Sequence, residues 1–201
     1  MCCKSKKERG IIMTFAELTA QITTYVPQDA GERADRHALL RALCAFGPQS
    51  LDRACPAHLT GSGFIVNPSR TRALFIRHAL RQTLSWTGGH ADGESDLLSV
   101  TLREAREETG CGDVRPLSPD IASLEVFAVP AHLKNGAYVS AHLHLSVAFL
   151  LVLAEDAPLC PQAGETAGAV WLSEKQIAQP PFSAADAALY QKLFQRARRI
   201  P

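Results

Sequence analysis

The sequence predicts an α/β protein, a sheet flanked by helices with a helical extension in front, and three observations carry that reading. The first is SAHLHLSVAFLLVL, residues 140 to 153, in which Leu143, Leu145, Val147, Phe149, Leu151 and Leu153 alternate strictly and so share one face of a long strand. The second is a helical period over Ser95 to Thr109, where Leu98, Leu102 and Ala105 recur at i, i+4 and i+7. The third is the order of elements: strand, strand, helix, strands, helix, as expected of a sheet covered on its faces by helices.

Taken in chain order, FAELTAQITTY (15 to 25) and ERADRHALLRALCAF (32 to 46) have helical periodicity, and Gly47-Pro48 breaks the second. Residues 1–57 are expected to form a helical extension, with Leu39, Leu40, Leu43 and Phe46 packing on a main domain of residues 58–201. The alternatives are a dimer surface, which would make the protein a homodimer, or a lid over a substrate. GSGFIVN (61 to 67) and ALFIRH (73 to 78) read as strands around the turn Pro68-Ser69-Arg70. SWTGGH leads through a paired-glycine turn into the helix at 95 to 109, with Ser95 or Asp92 as cap and Gly110 as the left-handed terminator. AVWL (169 to 172) is a last short strand, and FSAADAALYQKLFQRARR (182 to 199) an amphipathic helix capped by Ser183.

Composition bounds the function without selecting it. With 201 residues, 46% of them hydrophobic, the chain can bury roughly 70% of its unfolded surface in one core. A formal net charge of +1 gives no global reason to expect a nucleic-acid or membrane partner. The longest apolar run, Val147 to Ala154, is eight residues, far below the about 20 of a membrane-spanning helix. Cys2, Cys3, Cys44, Cys55, Cys111 and Cys160 lack metal-knuckle or redox spacing and are expected to be reduced, which with no signal peptide points to the cytoplasm. The leader MCCKSKKERGII lacks the glycine that myristoylation needs at position 2, and is expected to be flexible or to precede a native start at Met13.

The chemistry is concentrated between Gly88 and Cys111, GGHADGESDLLSVTLREAREETGC. On a helix Glu104, Glu107 and Glu108 fall at i, i+3 and i+4 and share one face. Their mutual repulsion is slight in water but reaches about 4 kcal/mol for charges 4 Å apart at an effective dielectric near 20, and a bound cation reverses its sign. With an apolar stripe on its back the helix is expected to dock, leaving its acidic face at the rim of a cleft. Hard carboxylate oxygens suit Mg²⁺, or Mn²⁺ in its place, rather than zinc.

This segment resembles the Nudix box, G-x5-E-x7-R-E-U-x-E-E-x-G-U with U a bulky apolar residue. It is in register at Gly89, Arg103, Glu104, Ala105, Glu107, Glu108, Gly110 and Cys111. The first glutamate position holds Ser95, flanked by Glu94 and Asp96, and Ala105 and Cys111 are small for the apolar positions. The resemblance implies an α/β/α sandwich with a mixed sheet. It further implies a Mg²⁺-dependent hydrolase cleaving the pyrophosphate bond of a small nucleoside diphosphate derivative. Carried over residue by residue, it makes Glu104, Glu107 and Glu108 the metal ligands and gives Glu104 and Arg103 catalytic roles, Arg103 orienting a carboxylate. Read from the residues themselves, Gly88 and Gly89 let the backbone approach a substrate closely, and His90 would either contact a substrate phosphate or pack at, or cap, the helix entry. Glu165, on the loop entering the last strand, is the candidate general base where relatives recruit one from outside the box. The alternatives are a noncatalytic nucleotide sensor of the same fold, and an enzyme like isopentenyl diphosphate isomerase, whose cysteine- and histidine-containing strand motif is not found. Substrate choice would lie in loops such as Val129 to Ser140.

His142 and His144 share a strand face opposite the leucines, and two alternating imidazoles could bind a transition metal. No third ligand is identifiable from sequence, so they are expected to line the substrate cleft or face solvent. Trp86 and Trp171 are expected in the core.

Overall fold

A computed structural model describes residues 13–78, 83–134, 136–160 and 166–201. The leader and Glu165 lie outside these described residues. Helices α1 (Phe15–Thr24) and α2 (Ala30–Phe46) open the fold, the first closed by a capping box of Thr14 and Glu17, the second capped by Asp29. A 3₁₀ turn at Gly47–Leu51 follows. Then come strands β1 (Ala57–Val66), β2 (Arg72–His78), β3 (Leu84–Ser85) and β4 (Thr87–His90), and helix α3 (Leu97–Thr109). The second half holds β5 (Arg115–Pro116), β6 (Ser123–Val129), the hairpin of β7 (His132–Lys134) and β8 (Ala137–Val139), β9 (His142–Val152) and β10 (Thr166–Ser173). Helices α4 (Glu174–Ile177) and α5 (Ala184–Arg199) close the chain.

The main sheet runs β10-β2-β1-β9-β5, with β3 on β2, β4 on β1 and β6 on β9. It is mixed: β1 and β9 pair in parallel over their whole length, Ala57 with Leu143 to Val66 with Val152, while the other pairs are antiparallel. The expected α/β sandwich is therefore present. One face carries Leu59, Ile65, Leu145, Val147 and Leu151 against α3 and the helices before the sheet, which contribute Leu18, Ile22, Leu39 and Leu43. The other carries Phe64, Phe75 and Leu150 against Tyr190, Leu193 and Phe194 of α5. Two covered faces explain why β9 is buried on both sides from Leu145 to Leu151, where strict alternation alone suggested one apolar face. Leu143, at the strand's open end, is 40% exposed.

Helix α2 lies along β6, where Asp35 accepts the Val126 amide, so a carboxylate satisfies backbone that an edge strand leaves unpaired. Beneath it sits a buried ion pair: Arg196 of α5 donates to both Glu32 oxygens at 2.7 and 2.9 Å, and Tyr25 and Ser123 donate to the same carboxylate. Burial alone would raise the Glu32 carboxyl, but hydrogen bonds from Arg196, Tyr25 and the Gln28 amide outweigh it and hold the group down at about 2. This network joins α2, β6 and α5.

Candidate active site

Helix α3 brings Glu104 and Glu108 to β4 along the same side that it presses unusually close to β1. A Cβ on Gly61 of β1 would lie 2.6 Å from Thr101 Oγ1 and 2.9 Å from the Leu97 carbonyl. One on Gly63 would lie 3.0 Å from Thr101 Cγ2. Only hydrogen atoms fit there. The buried stripe is accordingly Leu97, Val100, Thr101, Ala105 and Thr109, with small and threonine side chains at the contact. Leu98 and Leu102, expected to form the stripe, are only partly buried at its flank. Thr101 and Thr109 satisfy their hydroxyls within the helix, on the Leu97 and Ala105 carbonyls.

The cap differs from both expected residues. Asp96 closes the N-terminus, accepting from the Ser99 amide at 3.1 Å and the Ser99 hydroxyl at 2.8 Å, and the helix begins at Leu97. Gly110 ends it in the left-handed region at φ +66°, as expected.

Gly88 and Gly89 form no turn; they lie within β4, paired to Ser62 and Gly61 of β1. Their lack of side chains serves the helix carboxylates. The Gly88 amide donates to Glu108 Oε2 at 3.0 Å. A Cβ on Gly89 would sit 2.6 Å from Glu104 Cγ and nearer still to its carboxyl group. Glu104 and Glu108 are thus held against β4, while Glu107 projects toward solvent. Burial, reinforced by the charges of Glu107 and Asp92 against the opposing pull of Arg103, raises the Glu104 carboxyl above its ordinary value.

Arg103 joins this group to the residues before the helix. It donates to Glu94 at 2.7 Å and lies 3.5 Å from Glu104. With Asp96 committed to the cap, Glu94 is the neighbour of Ser95 that shares Arg103 with Glu104. Arg53 fixes the preceding loop through a two-pronged ion pair with Asp92.

His90 does not join the carboxylates. Successive residues of a strand face opposite sides, and Gly89 faces Glu104. On the far side of the sheet the His90 ring packs 5.1 Å from that of His58 and 5.2 Å from that of His144. Burial, aided by the charge of Arg53, lowers it to about 4, so it is neutral at pH 7. His142 and His144 therefore have the neighbours that their own strand could not reveal.

The family model for the NUDIX domain matches residues 57–193. Among solved structures, the dihydroneopterin triphosphate pyrophosphohydrolase of E. coli superposes with a TM-score of 0.52 at 16% identity, over 70% of this chain and 94% of that one. The MutT protein of Methanosarcina mazei Go1 gives 0.50 at 20% identity, over 72% and 94%. A NUDIX family hydrolase of Clostridium perfringens gives 0.49 at 19%, over 69% and 96%. At these identities the likeness is one of fold. Comparison with curated proteins gives no significant match.

Proposed function

The chain belongs to the NUDIX family, a family of pyrophosphohydrolases acting on nucleotide derivatives, and on that premise we propose that it hydrolyses the pyrophosphate bond of a small nucleoside diphosphate derivative with Mg²⁺ held by Glu104, Glu107 and Glu108. The observation that carries this reading is the placement of Glu104 and Glu108 against β4 by two glycines, one of which donates its amide to Glu108. The donors suit the ion by their chemistry: carboxylate oxygens are hard ligands, and the burial that raises the Glu104 carboxyl, reinforced by the charge of Glu107, is a penalty on its charged form that a cation relieves. Mn²⁺ satisfies the same oxygens. When bound, the ion neutralises phosphate charge and polarises the attacking water.

The chain's own residues supply the rest. Arg103 is a positioning residue that holds Glu104 and Glu94 side by side, and Glu94 takes the auxiliary place vacated at Ser95. Glu104, with its raised carboxyl, accepts the proton of the attacking water, and Glu165, which precedes Thr166 in the sequence, is the second candidate for that role. Gly88 and Gly89 keep the floor of the site free of side chains. The β7–β8 hairpin, with Leu133 and Tyr138 each 72% exposed, is the candidate specificity loop. Among the described residues no helix is long and apolar enough to cross a membrane. Cys44, Cys55, Cys111 and Cys160 carry free thiols, which supports a reducing, cytoplasmic setting.

The test is a panel of nucleoside diphosphate derivatives with Mg²⁺ or Mn²⁺, products read by mass spectrometry. Glu108→Gln keeps an acceptor for the Gly88 amide, so the fold is expected to persist while metal-dependent turnover is abolished. Full activity in that variant rejects the site. Glu165→Gln is expected to cost less unless it is the base. Metal binding with no turnover of any member would favour the sensor.

A further inference from the structure

We propose that His58, His90 and His144 form a second metal site, selective for a transition ion such as Zn²⁺, on the sheet face opposite the carboxylate helix. Three strands build it. His58 of β1 is the direct register partner of His144 on the parallel strand β9, and His90 lies on β4, which pairs along the other edge of β1 opposite Thr60. One ring nitrogen from each lies within 4.8 Å of the others. Nitrogens around a tetrahedral zinc with bonds of 2.0–2.1 Å stand about 3.3 Å apart, so small side-chain rotations close the site. Imidazole selects zinc, copper or nickel over the hard ions that suit Glu104 and Glu108.

The state of His58 supplies independent support. Its Nδ1 lies 2.7 Å from the Cys55 carbonyl, which only accepts, so Nδ1 carries the proton and donates. Nε2 is then a lone pair. His58 is 1% exposed and this nitrogen has no hydrogen-bond partner. A buried polar atom left unmatched costs about 1–3 kcal/mol, and an ion is one of the few things that account for it. A backbone carbonyl fixing the far nitrogen is also the arrangement that orients ligating histidines. His142 repeats it: Nδ1 faces the Ser140 carbonyl at 2.8 Å, while Nε2 lies 3.3 Å from His144 Nε2 and the ring stacks on His58. We assign His142 as a positioning residue beside three ligands, leaving the fourth coordination position open. Bound metal would tie β4, and so the glycines under Glu104 and Glu108, to the two central strands.

The inference stands apart from the hydrolase reading, and its test needs no substrate. The full chain, stripped with chelator, is titrated with Zn²⁺ against a chromophoric competitor and separately with Co²⁺, read by visible absorption. One Zn²⁺ per chain and the absorption of a four-coordinate, nitrogen-ligated Co²⁺ are expected. His90→Gln and His144→Gln should each weaken Zn²⁺ by more than about 100-fold, beyond the roughly 10–100-fold that loss of an outer-shell partner costs. His142→Gln should fall within that lower range. Glu107→Gln should leave Zn²⁺ affinity unchanged. The proposal is overturned if the unaltered chain takes up no stoichiometric Zn²⁺, if Co²⁺ remains six-coordinate, or if Glu107→Gln removes the binding that the histidine variants retain.

Discussion

Gly61 and Gly89 are register partners beneath the same helix, yet replacing each with alanine should do opposite things. At Gly61 the new methyl meets backbone: the Leu97 carbonyl at 2.9 Å and the Thr101 amide nitrogen at 3.2 Å. Helix α3 must move bodily, and overpacking of that kind costs about 1–3 kcal/mol. In a chain of this size that is a fall in Tm on the order of 2–12 °C. At Gly89 the atoms nearest the methyl all belong to the Glu104 side chain, its carboxyl group closer still than Cγ at 2.6 Å, where carbon atoms normally stand about 3.5–4.0 Å apart. The Glu104 side chain is 23% exposed and can swing outward by about 1 Å at little cost to stability. A misplacement of that size is worth roughly 100-fold in rate, or about 2.7 kcal/mol of transition-state stabilisation. Gly89→Ala should therefore melt close to the unaltered protein, bind Mn²⁺ more weakly by relaxation titration, and lose about two decades of kcat. The reasoning fails if Gly89→Ala turns over and binds Mn²⁺ like the unaltered protein, or if it unfolds as readily as Gly61→Ala.

Four further outcomes follow from the structure. Arg196→Met strands the buried Glu32 carboxylate and should lower unfolding free energy by about 3–5 kcal/mol in urea, with Glu32→Gln added to it restoring part; a loss below about 1 kcal/mol would mean the pair is not buried as described. Because Glu32 is held at about 2 in the fold against 4.5 ordinarily, the unfolded chain binds more protons between those values. That contribution, about 3 kcal/mol, is complete above pH 4.5 and lost as pH falls toward 2, and a flat urea midpoint over that range would contradict it. Asp96→Ala should cost about 1 kcal/mol through loss of the α3 cap, whereas Ser95→Ala, at the residue first expected to cap, should cost nothing measurable. Mg²⁺ at about 100 times its Kd should add about 2.7 kcal/mol at pH 7. Since burial raises the Glu104 carboxyl above its ordinary value, this gain should fade earlier on acidification than with an unperturbed carboxylate, and a pH-independent gain would place the ion elsewhere.

What the sequence made legible was whatever is periodic and local. The helix α3 itself, its left-handed Gly110 end, the long strand at β9 and the Ser183 cap of α5 each depend on residues within a few positions of one another, and each stands where expected; of the three glutamates read as one face, Glu107 turns to solvent while Glu104 and Glu108 lie against β4. The main misreadings share one physical cause. Gly61 was read as the start of a strand and Gly88-Gly89 as a turn, because glycine ordinarily interrupts regular structure. Here the glycines are interior strand residues whose missing side chains admit α3, a requirement set by a helix distant in sequence from β1. That misreading had a further consequence. Starting β1 at Gly61 instead of Ala57 left His58 outside any strand, and treating Gly88-Gly89 as a turn gave His90 no face. With β1 begun four residues earlier, the alternation His58, Thr60, Ser62 sets one histidine on a polar strand face, and β4 in register adds a second beside it. The same close helix contact therefore accounts for both halves of the chemistry: on one face it places Glu104 and Glu108 against β4, and on the other it leaves an extended strand free to carry His90 to His58 and His144.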